Sequence, residues 1–263
     1  MFNILFWNLK KNSIEEYIVS CIIENDIDVA IFTEYDGIDF NALEKKLRTQ
    51  YKTAAYVQND IKVKIIARCS IEVKVLQEQH RYCIYQIKSE MNTYLVCGTH
   101  LEDRRNYKSA DRIQTISNIV SDVEENEDIF QCDNTIVIGD FNANPYDDEL
   151  LSVYAFNSVL FKSVIQQNEM KEWNGTKKKR FFNPILHYIS EETGMYGSFY
   201  YSGSHETSYW HCLDQAIVRK GLVNKISSVK YLKKIDGYEL IKDIRPNKEI
   251  SDHLPLVIQF LEV

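Results

Sequence analysis

Apolar strand-like runs in this chain stop abruptly at a single carboxylate, amide or imidazole. Phe2–Trp7 ends at Asn8 and Asp28–Thr33 ends at Glu34. Asn134–Gly139 runs into Asp140, Phe141 and Asn142. These runs lack strict alternation and read as strands covered on both faces. Between the first two, Ile14, Tyr17, Ile18, Cys21 and Ile22 recur at helical spacing. They predict an amphipathic helix with Asn12 or Ser13 as its cap and Glu15 and Glu16 in its first turn. Strand, helix and strand at short spacing open an α/β chain.

The pattern changes after residue 62. Lys62–Ala67, Ile71–Leu76, Arg81–Lys88 and Thr93–Thr99 read as an antiparallel meander, the last of them ending at His100. Asn106–Val123 follows as a helix with Ala110, Ile113, Ile116, Val120 and Val123 on one face. Later strands are expected at Leu213–Val218, where Leu213 meets Asp214, near Ser227–Leu232, and at His253–Phe260, preceded by Ser251 and Asp252. Strand ends on a rigid sheet are where α/β proteins assemble sites. Hard cations such as Mg²⁺ take oxygen ligands there and leave positions for water and phosphate.

Composition narrows the class. The 263 residues are 44% apolar and 26% charged, ordinary globular usage that excludes a disordered or fibrous chain. Gly and Pro, 9 and 4 in number, leave little room for linkers, and one domain is expected over residues 1–263. A net charge of −7 argues against a charge-driven nucleic-acid coat. It is compatible with a nuclease whose local positive charge comes from a bound divalent cation. The six cysteines form no CxxC pair and read as small buried hydrophobes of a reducing compartment. No apolar stretch is long enough to span a membrane, and the N-terminus lacks the form of a secretory leader. A cytoplasmic protein is expected, with its oligomeric state left open.

Taken singly, each polar strand end has an ordinary explanation. Asn8 suits a turn or cap, Glu34 a solvated rim, His100 a structural histidine, Gly139–Asn142 a plain turn, and Asp252 with His253 a cap. Taken together, they have an order that resembles the endonuclease/exonuclease/phosphatase (DNase I-like) superfamily. The resemblance is carried by FWNLK at Phe6–Lys10, Glu34 in FTE, THLE at Thr99–Glu102, GDFNANP at Gly139–Pro145, LDQAIV at Leu213–Val218 and SDHLP at Ser251–Pro255.

That likeness implies a four-layered α/β/β/α sandwich of two packed mixed sheets flanked by helices. It implies a phosphodiester hydrolase using Mg²⁺ or Mn²⁺ and in-line attack of water. Glu34 would be the principal metal ligand, with Asp252 reaching the metal shell and Asn8 supporting metal and phosphate. Asp140 would orient or deprotonate the water, and Asn142 would hold the phosphate. His253 would bond a phosphate oxygen, its ring held by Asp214, and His100 would sit near the leaving oxygen. Thr33 departs from the glutamine usual before the glutamate. A serine hydrolase is disfavoured by the absence of a GxSxG elbow.

Substrate choice in such a fold lives in loops. The segment of about residues 144–213 carries Trp173, the basic run Lys177, Lys178, Lys179 and Arg180, and the aromatics Phe199, Tyr200, Tyr201, Tyr209 and Trp210. Basic residues beside aromatics suit single-stranded or distorted nucleic acid, and the basic run is the expected substrate contact. By itself the basic run also reads as a solvated face, and Phe199–Tyr201 as core strand. A phospholipid, inositol phosphate or small nucleotide is the alternative substrate, and a non-catalytic phosphate-binding module a third reading.

Overall fold

All seven residues of β1 (Phe2–Asn8) are buried, which requires cover on both faces. In the computed structural model, which describes residues 1–190, 192–203 and 209–262, that cover is a second sheet on one face and helices on the other. Helix α1 (Glu15–Glu24) returns the chain to β2 (Val29–Thr33), parallel to β1. Ile18, Cys21 and Ile22 of α1 join the apolar cluster of β1 and β2. Helix α2 (Phe40–Lys46), capped by the Asp39 carboxylate, precedes β3 (Tyr51–Thr53) and β4 (Val63–Arg68).

The strands β5 (Glu72–Glu78), β6 (Tyr82–Lys88) and β7 (Thr93–His100) are antiparallel neighbours. Helix α3 (Ser109–Phe130) then crosses to β8 (Thr135–Asp140), parallel to β7. Short strands follow: β9 (Ser158–Val159), the hairpin of β10 (Met170–Trp173) with β11 (Thr176–Lys179), β12 (Phe181–Phe182), and the pair β13 (Phe199–Tyr200) and β14 (Trp210–His211). β15 (Asp214–Val218) and β16 (Ile226–Tyr231) are longer. After two small hairpins, β17 (Lys234–Ile235) with β18 (Tyr238–Glu239) and β19 (Ile241–Lys242) with β20 (Arg245–Pro246), the described chain closes on β21 (Leu256–Phe260).

Two mixed sheets result. One has six strands in the order β16-β21-β1-β2-β4-β3, and the other has seven in the order β5-β6-β7-β8-β15-β12-β9. β1 and β2 lie against β7, β8 and β15, so the central strands face each other. Ile116, Ile119, Val120 and Val123 of α3 cover the outer face of the second sheet, against Leu95, Cys97, Val137 and Ile217. This is the expected sandwich. Among the described residues no helix is long and apolar enough to cross a membrane. All six cysteines are free, and Cys69 alone among them is exposed.

Several local expectations need correction. The meander has three strands rather than four, because β4 pairs with β2 in the opposite sheet. The residue capping α1 is Ile14. Asn12 and Ser13 instead donate to Ile250 O at 2.9 Å and Gly37 O at 2.8 Å, tying the helix start to neighbouring loops. α3 begins later than Asn106, since the Asp103 carboxylate accepts from the N–H groups of Arg105 and Asn106 in a turn. It also runs past Val123, where the buried Glu127 is paired by Arg219 at 2.7 Å. Phe199 and Tyr200 are half-buried and lie outside both large sheets.

Candidate active site

The sheet register aligns the polar strand ends. His100 is the cross-strand partner of Asp140, and Asp140 is the partner of Asp214. Direct partners share a face, so this row on β7, β8 and β15 points one way. Gly139 allows the close fit: a Cβ there would stand 2.0 Å from Thr99 O. In the other sheet Asn8 pairs with Thr33, and Glu34 follows with φ of 47°. Asn142 also has φ of 47°, after accepting a turn in which its N–H donates to Asp140 Oδ1 at 2.9 Å. A left-handed backbone is costly for Glu and readily adopted by Asn, and it turns the chain sharply at both strand ends.

The two rows meet at Asn8. Its Oδ1 accepts from Lys10 N–H at 3.0 Å, which fixes the amide. Its Nδ2 then donates to Glu34 Oε1 at 3.3 Å and Asp140 Oδ2 at 3.1 Å. His100 Nε2 stands 3.7 Å from the same Glu34 oxygen and 3.8 Å from the same Asp140 oxygen. His253 Nε2 lies 4.0 Å from Asp140 Oδ2, and its Nδ1 donates to Asp214 Oδ2 at 2.7 Å. Asn142, anchored by Nδ2 to Leu101 O at 2.9 Å, and Asp252 line the same cleft of about 480 Å³.

Charge follows from burial and partners. Burial opposes an imidazolium at His253, but the Asp214 carboxylate, by charge and by hydrogen bond, outweighs it. With Asp140 and Asp252 adding, the ring is pushed up to about 10 and carries a proton at neutral pH. Burial lowers His100 despite the attraction of Asp140, so that ring is neutral. Burial raises the Asp140 carboxyl above the ordinary carboxylate range, against the pull of His253.

A divalent cation fits this donor set. Glu34 and Asp140 bring carboxylate oxygens onto one amide, and among the described residues neither is ion-paired by lysine or arginine. Asp140, Asp214 and His253 also converge within 4.8 Å. That trio is better read as a proton-holding group, because Asp214 Oδ2 is committed to His253 and a protonated imidazole has no lone pair for a metal.

The sequence assigns no role to the supporting residues, although Trp7 and Ser251 lie within the FWNLK and SDHLP motifs. Trp7 Nε1 donates to His253 O at 3.0 Å, and Ser251 Oγ donates to Asn8 O at 2.7 Å while accepting from His253 N–H. Ser198 Oγ accepts from Asp214 N–H at 3.1 Å, and Tyr231 donates to Asp214 O at 2.6 Å. Lys10, Arg104, Arg105, Tyr201 and His211 line the cleft. Of these, Lys10 lies inside a motif already singled out, and Arg104 and Arg105 begin two residues after Glu102; Tyr201 and His211 carried no signal tying them to the strand ends.

The basic run stands apart from this constellation. Lys177, Lys178, Lys179 and Arg180 do not line the cleft. Lys178 is paired with Glu124 at 2.9 Å, Lys179 with Glu127 at 3.3 Å, and Arg180 donates to Asn168 O at 2.7 Å. Part of the 144–213 segment, residues 191 and 204–208, lies outside the described residues.

No family model matches the chain, and no curated protein matches it by sequence. Solved structures do. D. rerio TDP2 complexed with single strand DNA product superposes with a TM-score of 0.62 at 16% identity, covering 99% of this chain and 98% of that one. An AP endonuclease from Archaeoglobus fulgidus gives 0.60 at 16% identity, covering 99% of both chains. The 3′ phosphatase NExo from Neisseria, bound to product DNA hairpin, gives 0.56 at 14% identity, covering 99% of this chain and 100% of that one.

Proposed function

Given the DNase I-like endonuclease/exonuclease/phosphatase fold of this chain, we propose that it is a divalent-metal-dependent phosphodiester hydrolase acting on nucleic acid. The observation that carries the reading is the meeting of Glu34, Asp140 and the charged His253–Asp214 pair around the Asn8 amide.

Glu34, with Asn8 beside it and Asp252 in the same cleft, would hold Mg²⁺ or Mn²⁺, which when bound supplies charge neutralisation on the phosphate and the leaving oxygen. Asp140 takes the proton of the attacking water, a task suited to a carboxylate whose basicity burial has raised. His253 presents Nε2–H, a charged donor, to a phosphate oxygen as negative charge grows there. Asp214 keeps that ring oriented and protonated. Asn142, in the turn that follows Asp140, holds a phosphate oxygen with the amide hydrogen not given to Leu101 O. His100, neutral and buried, faces the leaving group.

The cleft wall supports nucleic acid as substrate. Lys10 and Arg105 provide cations for a phosphate backbone, with Arg104 beside them paired to Asp147 and Glu149, and Phe199 and Tyr201 provide rings for bases. The DNA held by two of the similar structures agrees with this. The test is a panel of labelled single-stranded DNA, duplex DNA, abasic DNA, RNA, phospholipid and inositol phosphate, each with Mg²⁺ and with EDTA. Cleavage of a nucleic acid only with the ion, abolished about 10²–10⁴-fold by Asp140→Asn, is the expected result. Turnover of lipid or inositol phosphate alone, or of nothing, would overturn it.

A further inference from the structure

Asn144 sits in the stretch after Asp140 that the mechanism above leaves unused. Its Oδ1 accepts from the backbone N–H of Cys212 at 3.0 Å, a group able only to donate. The amide orientation is therefore settled, and Nδ2 is the atom that lies 3.1 Å from His211 Nδ1. Nδ2 is a donor, so Nδ1 must accept, and a hydrogen on Nδ1 would set two donors face to face. The single ring hydrogen of His211 is thus on Nε2, in a side chain that lines the cleft.

The position of that donor follows from strand pairing. His211 is the cross-strand partner of Phe199, so the two side chains share a face. The Phe199 ring in turn packs on the His253 ring, with centroids 4.9 Å apart. Along this wall the order is His253, Phe199, His211. An aromatic ring separates the two imidazoles, which places His211 beside the reacting phosphate rather than on it. Arg105, stacked on Tyr201 at 4.7 Å, borders the same stretch of cleft.

We propose that His211 is a specificity-determining residue that donates from Nε2 to an oxygen of the nucleotide next to the scissile phosphate, and that Asn144 acts through it as a positioning residue. The inference rests on the nucleic-acid reading above. It makes the cleft a site for a strand of at least two nucleotides rather than for an isolated phosphodiester.

The test compares two substrates on the full chain with Mg²⁺: the oligonucleotide cleaved in the panel, and bis(4-nitrophenyl) phosphate, which has no neighbouring nucleotide. His211→Leu should raise KM for the oligonucleotide about tenfold, the usual worth of one hydrogen bond, with kcat and the small-substrate KM within twofold. His211→Gln, which keeps a donor, should restore most of the loss. Imidazole ¹⁵N spectra of the wild type should show the hydrogen on Nε2, and Asn144→Asp should move hydrogen onto Nδ1. An unchanged oligonucleotide KM in the leucine variant, equal damage to both substrates, or a wild-type hydrogen on Nδ1 would overturn this inference alone. Absence of cleavage of every oligonucleotide would overturn the parent reading and this one with it.

Discussion

Replacing Asp214 by Asn keeps the shape of a fully buried side chain and removes the charge that holds the His253 proton. The imidazole is pushed from an ordinary 6.5 to about 10. At 1.36 kcal/mol per tenfold change in proton affinity, that distance is worth roughly 5 kcal/mol, a net figure in which Asp214, joined by Asp140 and Asp252, works against burial. The folded state holds this proton more tightly than the unfolded chain. The stabilisation is therefore complete below about pH 6.5 and is lost as pH climbs through about 10. Asp214→Asn should cost on the order of 3–5 kcal/mol at pH 6, the cost of breaking a buried pair. The gap from wild type should narrow steadily towards pH 10. Urea unfolding across pH 6–10, in EDTA so that no divalent ion intervenes, measures the gap, and the NMR titration of His253 follows the proton directly. A gap of the same size at both ends of the range would refute the reasoning and assign Asp214 a packing role only.

Two further outcomes are expected. Gly139→Ala should lower stability by about 1–3 kcal/mol through overpacking, because the new methyl would meet Thr99 O at 2.0 Å; an unchanged thermal midpoint would count against the tight β7–β8 fit. Lys179→Ala should lower the thermal midpoint by leaving Glu127 with one cation instead of two, while leaving the oligonucleotide KM within twofold; a large rise in KM with an unchanged midpoint would return the basic run to the substrate.

The polar cluster around Asn8 was legible through the order of its members rather than through any one of them. Asn8, Glu34 and Asp140 each stand where an apolar run ends, and although a turn, a cap or a solvated rim would explain any one of them, their recurrence in order is informative. The cleft wall was not legible. Arg105 meets Tyr201, and Asn144 meets His211, across long sequence separations that only the closed sandwich brings together. The basic run is the converse case. Lys177–Arg180 reads as a phosphate contact in isolation, yet two of its lysines answer Glu124 and Glu127 on the far end of α3, beyond the apolar stripe that marked the helix. The short helix at Phe40–Lys46 buries only Leu43 and so leaves almost no periodic trace in the sequence.

The row of His100, Asp140 and Asp214 across three adjacent strands has a consequence for how this protein can change. Neighbouring strands are held about 4.8 Å apart by their backbone ladder, so the sheet itself acts as a ruler for these side chains. None can be nudged alone, and a one-residue slip of β8 would throw Asp140 to the opposite side. Variation at this cleft must therefore come from the surrounding loops, while the lattice beneath keeps the spacing of the carboxylates and the imidazole constant.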